Sequence, residues 1–134
     1  MCEENNNLEC SCLKDLFKTI IKLQKQDFKC CSSGGCDRPF LGPSPSLSCY
    51  NTRPINLYNC QTGELWSISY TLPDGTTSVS DVFRCESIDD CCLTCRILID
   101  NLDGTYTSTN QFFTINLNCV SAVRCRPDVF IALV

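Results

Sequence analysis

Apolar residues first recur at helical spacing between residues 13 and 26. Leu13, Leu16, Phe17, Ile20 and Leu23 fall along one stripe, while Lys14, Asp15, Lys18, Lys22 and Lys25 lie mostly on the other faces. The spacing predicts a short amphipathic helix over 13–26 whose stripe packs on the body of the protein. Ahead of it, residues 1–12 hold Asn5-Asn6-Asn7 and several acids, with nothing to bury. They read as a flexible N-terminal arm carrying Cys2, Cys10 and Cys12. Behind it, the turn-rich run from Cys30 to Cys36 is followed by Pro39, Gly42, Pro43, Pro45 and Pro54. These exclude continuous helix and any central strand, so 30–54 is a cysteine- and proline-rich connection.

From Ile55 the period changes to two. Ile55 and Leu57 share a face, Trp66, Ile68 and Tyr70 alternate with Ser67 and Ser69, and Leu93, Cys95, Ile97 and Ile99 alternate with Thr94, Arg96 and Leu98. Val82 to Cys85 gives a further short strand. Pro73-Asp74-Gly75 and Leu102-Asp103-Gly104-Thr105 mark tight turns, the second closing a hairpin. Ile115, Leu117, Cys119, Ser121, Val123 and Cys125 hold one parity over a long strand or a strand pair, and 128–134 adds a last strand. The fold class that follows is mainly β: an antiparallel β-sandwich or barrel-like domain preceded by the helix. Residues 13–134 form one domain, with its β region over 55–134.

The chain has 134 residues, 14 of them cysteine. A domain of this length buries roughly two-thirds of its unfolded surface and needs no staple, yet the cysteine content is that of a disulfide scaffold. The surplus points to a use beyond holding the monomer together. Strand parity sorts the cysteines. Cys85 travels with Phe83, Cys95 with Ile97 and Ile99, Cys119 with Ile115 and Leu117, and Cys125 with Val123. These four are expected to face inward, either as buried thiols or paired within the sheets. Cys2, Cys10, Cys12, Cys30, Cys31, Cys36 and Cys92 are expected to be exposed and to form disulfides between subunits.

The net charge of −4 comes with no basic patch, which excludes nucleic acid as a partner. No stretch is long and apolar enough for membrane insertion. The acidic, polar start lacks the pattern of a signal peptide, so synthesis in a cytosol is expected, with oxidation coming later. Cys10-Ser11-Cys12 and Cys92-Leu93-Thr94-Cys95 raise a zinc site, but no repeated knuckle appears, and a C-x-x-C in a strand turns its thiols to opposite sides. No metal ligand and no cofactor are expected; a cysteine-rich zinc module is the alternative reading. There is no histidine, which removes the usual general base, and Asp89-Asp90 reads as a turn. No catalytic residue is expected.

The ordered blocks Gly35-Cys36-Asp37-Arg38-Pro39-Phe40-Leu41-Gly42, Asn51-Thr52-Arg53-Pro54 with Leu57-Tyr58, Phe83-Arg84-Cys85-Glu86-Ser87-Ile88-Asp89-Asp90, Cys92 through Arg96-Ile97-Leu98, Thr114 to Cys119 and Ala122 to Cys125 resemble the CotY/CotZ/ExsY family of spore outer-coat (crust) and exosporium morphogenetic proteins. The helix with Phe17, Ile20 and Leu23 is similar to the family's N-terminal helix. The resemblance implies a structural protein made in the mother-cell cytoplasm and deposited on the spore surface. There it would assemble with itself, as hexameric rings in a disulfide-stabilised two-dimensional lattice, and with other coat or exosporium proteins. By position, Cys31, Cys36, Cys92, Cys119 and Cys125 correspond to cysteines the family tends to carry, whereas Cys49, Cys60, Cys85 and Cys95 are additional. The family's His-rich N-terminus and its longer insert before the last strands have no counterpart here.

Overall fold

Buried apolar side chains on one face of a helix and one face of a sheet meet to form the main core. The computed structural model describes residues 10–25 and 50–134. Helix α1 spans Ser11–Gln24, beginning two residues before the expected start because the Lys14 amide already donates to the Cys10 carbonyl at 2.7 Å. Residues 10–12 therefore belong to the helix and its cap, while the rest of the expected arm, 1–9, and most of the expected connection, 30–49, lie outside the described residues. Phe17, Ile20, Ile21 and Gln24 form the buried stripe, the i, i+3, i+4, i+7 set of a straight helix. Leu23, read as part of that stripe, sits at its margin and is exposed. Burying Phe17 and Ile20 contributes roughly 1.5–3 kcal/mol each.

The strands are β1 (Ile55–Asn59), β2 (Ile68–Thr71), β3 (Thr77–Ser80), β4 (Phe83–Asp89), β5 (Cys92–Asp100), β6 (Tyr106–Asn116) and β7 (Val120–Cys125). Five make one antiparallel sheet in the order β6-β5-β4-β1-β7, and β2 and β3 make a separate hairpin. The protein is mainly β, as the alternation predicts, but the sheet stays open rather than closing into a barrel. Its apolar face carries Phe83, Cys85, Leu93, Cys95, Ile97 and Ile115 into one cluster with the helix. The β2–β3 and β5–β6 turns share one device. In each, an Asp-Gly-Thr run lets the Asp carboxylate accept from the amide and hydroxyl of the Thr, Asp74 from Thr76 and Asp103 from Thr105. Gly75 and Gly104 supply positive φ at 93° and 89°.

The opposite face of the sheet is polar. A bulge at Glu86 inserts one extra residue into β4 between the pairs Cys85↔Cys95 and Ser87↔Thr94. Its carboxylate lies between Arg84 (2.6 Å) and Arg96 (3.0 Å), which oppose each other across the strands. Arg96 also stacks 4.6 Å from the Phe112 ring centroid and donates to the Thr109 carbonyl. The expected last strand over 128–134 is instead a strap with one bridge, Thr52↔Val129. Asn51 pairs its side-chain amide with both backbone groups of Ile131, and Arg53 holds Asp128 through two bonds of 2.7 and 2.9 Å. Ile131 closes a second small core with Val82 and Leu98.

One join in this sheet is thin. β1 pairs with β7 along its whole length but with β4 only at Ile55↔Phe83. Side chains complete the seam from both faces. The Gln24 amide donates to the Cys85 carbonyl at 2.7 Å and accepts from the Arg53 amide at 3.0 Å. On the other face Arg84 donates to the Thr52 hydroxyl and the Asn51 carbonyl.

Gln24→Met keeps the bulk of the side chain and orphans both backbone groups. It should lower stability by about 2–4 kcal/mol, read from the denaturant midpoint; an unchanged midpoint would contradict the role given to Gln24. The Arg53 bond holds the Asp128 carboxyl below its ordinary value near 3.8. A depressed carboxylate stabilises above its unfolded pKa and loses that contribution as pH falls through the folded one. The melting-temperature gap between wild type and Asp128→Asn should therefore be full at neutral pH and shrink below about pH 4; a gap independent of pH would rule this out.

Candidate cross-linking site

Cysteine is the residue type whose chemistry most sets this chain apart, and the fold distributes its thiols unevenly. Cys10 and Cys91 form a disulfide with a Cα–Cα distance of 6.2 Å across 81 residues. It ties the start of α1 to the turn between β4 and β5. Closing a loop of that length removes roughly 4–5 kcal/mol of unfolded-state entropy. A Lys14–Asp90 ion pair at 3.5 Å spans the same junction. Cys10 was expected to be exposed and to bond another subunit. It is instead 4% exposed and internally bonded, because the helix starts at its carbonyl and draws it down onto the core.

Cys12 and Cys92 flank this bridge and are exposed. Cys92 opens β5 on the side opposite the buried Leu93, so it and the buried Cys95 of the C-x-x-C face away from each other. Among the described residues no group of three or more His, Cys, Asp or Glu could hold a metal. Asp89 ends β4 opposite Cys92, and Asp90, with φ of 58°, makes the two-residue turn with Cys91. A polar cleft of about 280 Å³ between the β2–β3 hairpin and β5, lined by Ser67, Tyr70, Ser78, Asp81 and Asp100 among others, contains no cysteine.

Cys85 and Cys95 are both 0% exposed and oppose each other across β4 and β5. The hydrogen bond between their side chains, and then burial, push the Cys85 thiol well above its ordinary pKa. It stays protonated and inert at neutral pH. Cys119 and Cys125 differ from the inward positions read from parity, since both are exposed. The single run read over Ile115–Cys125 is broken by a 3-10 turn, Leu117–Cys119, in which the Asn116 side chain accepts from the Asn118 amide. That turn swings Cys119 outward. Cys125 pairs with the buried Ile55 and so has the inward parity, but β7 is the edge of the sheet. Partial burial still pushes the Cys125 thiol up, against the influence of Arg53. Cys60 is half-buried at the far end of β7, where its amide donates to the Cys119 carbonyl at 3.0 Å and its thiol contacts the Asn118 carbonyl at 3.5 Å. Cys2, Cys30, Cys31 and Cys36 lie outside the described residues.

Cys91 had no role in the sequence reading. The available signal was its place in Asp89-Asp90-Cys91-Cys92, where a two-residue turn must present one of two adjacent cysteines to a neighbouring element. That the neighbour is Cys10 depends on a contact 81 residues away.

A family model described as Spore coat protein Z matches residues 1–107. The match runs from the N-terminus through α1 and β5 into the start of β6; the resembling blocks at Thr114–Cys119 and Ala122–Cys125 fall beyond it. No curated protein matches, and no solved structure matches.

Thiol labelling of the native chain with a maleimide, followed by peptide mass spectrometry, should modify Cys12, Cys92 and Cys119 readily and Cys125 more slowly. Cys85 and Cys95 should react only on unfolding. Rapid native labelling of Cys95 would contradict the core position assigned to it.

Proposed function

This chain belongs to the spore coat protein Z family, and on that premise we propose that it builds an ordered layer by associating with copies of itself, with disulfides then locking neighbours together. Membership makes it a structural protein of the spore surface. The finer reading, a two-dimensional lattice of hexameric rings in the outer coat, crust or exosporium, in contact with other coat proteins, is our proposal. So is its synthesis in the mother-cell cytoplasm before oxidation. We also propose that it has no catalytic activity, a reading supported by the absence of histidine from the sequence.

One observation carries the proposal. The domain seats its helix by burial and one internal disulfide, yet presents thiols at Cys12, Cys92, Cys119 and Cys125, on separate elements around the body. Thiols so spread cannot all serve one monomer. They suit a subunit that meets several neighbours, and closed rings extended by repeated contacts provide such neighbours. The outer edges of β6 and β7, which pair with no further strand among the described residues, add hydrogen-bonding surface for those contacts.

Negative-stain microscopy of the purified full chain should show regular high-mass assemblies. A variant with Cys12, Cys92, Cys119 and Cys125 all changed to Ser should still assemble. Without reductant, its layers should come apart at lower denaturant concentration, and with fewer linked chains, than wild-type layers. A wild-type chain that stays monomeric at high concentration under oxidising conditions would overturn the proposal.

A further inference from the structure

The Cys10–Cys91 disulfide is protected unequally at its two ends. Cys10 lies in the core cluster, whereas Cys91 is half-buried in the tight turn between Asp89 and Cys92. Exposed thiols stand beside both ends, Cys12 two residues beyond Cys10 and Cys92 directly after Cys91. Cys10 also occupies the N-cap of a helix 14 residues long, where its side chain makes no capping hydrogen bond. The helix dipole at that position favours negative charge, so a thiolate departing from Cys10 is stabilised where it forms. The helix has other anchors besides the bond. Phe17 and Ile20 are fully buried, Gln24 bridges the β1–β4 seam, and Lys14 pairs with Asp90 across the same junction.

We propose that Cys10–Cys91 is an exchangeable disulfide that passes its bond to a second copy of the chain; this rests on the self-association proposed above. The thiol of Cys12 or Cys92 in the second copy loses its proton, and its sulfur attacks Cys91 Sγ, the less protected sulfur. A new Sγ–Sγ bond forms between the two chains. The Cys10–Cys91 bond breaks, and Cys10 leaves as the thiolate and takes up a proton. One disulfide is consumed and one is made, so no electrons enter or leave and no oxidant takes part. Each subunit thus brings the bond that links it to a neighbour, and covalent joining can proceed under conditions that do not oxidise free thiols. The exposed thiols supply the nucleophiles, and the internal bridge supplies the electrophile.

The test uses the full chain with Cys10–Cys91 intact, its other cysteines reduced, incubated at high concentration without oxygen or added oxidant. Disulfide-linked dimers and higher species should appear. The total of free thiols per chain should stay constant. Peptide mapping should find Cys91 joined to Cys12 or Cys92 of another chain, with Cys10 newly open to alkylation. Cys12→Ser and Cys92→Ser, made singly, identify the attacking residue. Cys91→Ser should lose oxidant-free cross-linking. If that variant fails to fold, the wild-type map decides alone, because it requires each cross-link to be matched by one Cys10 thiol. Cross-links that form only with oxidant, cross-linked chains that keep Cys10–Cys91, or a soluble chain that lacks this bond would each overturn the proposal. Regular layers whose chains become cross-linked while Cys10–Cys91 stays intact would sink the exchange but leave the layer-forming reading standing. Exchange-linked dimers that never form layers would do the reverse.

Discussion

Two hydrogen bonds from one side-chain amide hold the halves of the main sheet in register. The β6-β5-β4 half and the β1-β7 half share a single strand pair, Ile55↔Phe83, and Gln24 supplies at the seam what a backbone ladder would otherwise supply. The rest of the architecture follows. Because Gln24 ends the buried stripe of α1, the helix must lie over the join, which carries Phe17 and Ile20 onto the apolar face of β4 and β5. Because Arg84 mirrors this role on the other face, the chain ahead of β1 is held to β4, and the C-terminal strap has a fixed surface to close on. A buried glutamine is costly unless its amide is satisfied. Here both ends of the amide are bonded.

Much of this order was legible in the residues, because periodicity reports which face of an element is buried. The helix, the mainly β body, the two Asp-Gly-Thr turns and the inward positions of Cys85 and Cys95 all follow from local pattern. Information carried by distant contacts was not legible. Nothing in the local pattern singles out Gln24 until the seam it serves is known. Cys10 reads as part of a polar arm until Cys91 is placed beside it. The misplacing of Cys119 and Cys125 has a different cause. A parity argument holds only within an unbroken strand, which the Leu117–Cys119 turn interrupts at Cys119, and it says nothing of edges, so Cys125 keeps the inward parity on β7 and is exposed all the same. The openness of the sheet was hidden too, since alternation counts faces and not edges.

The cysteine set separates into groups with different chemistry. Among the described residues one pair is bonded, one opposed pair is buried, and several thiols stand at the surface. The groups sit on different structural supports. The surface thiols at Cys12 and Cys92 border the helix–turn junction, while Cys119 and Cys125 bracket the edge strand β7. In the proposed layer their spacing would give neighbouring subunits two separate points of attachment on opposite sides of the seam, apart from the buried pair beneath the helix.

The seam also has a mechanical meaning. A subunit gripped at Cys92 on one side and Cys125 on the other carries any stretching force across β4 and β1, perpendicular to its strands. Backbone ladders loaded in that direction yield one rung at a time, and here the rungs are largely side chains. The first element to give way under tension would be this join, reversibly, while the covalent links hold. A sheet of such subunits would stretch at its softest interior line before it tore at its borders.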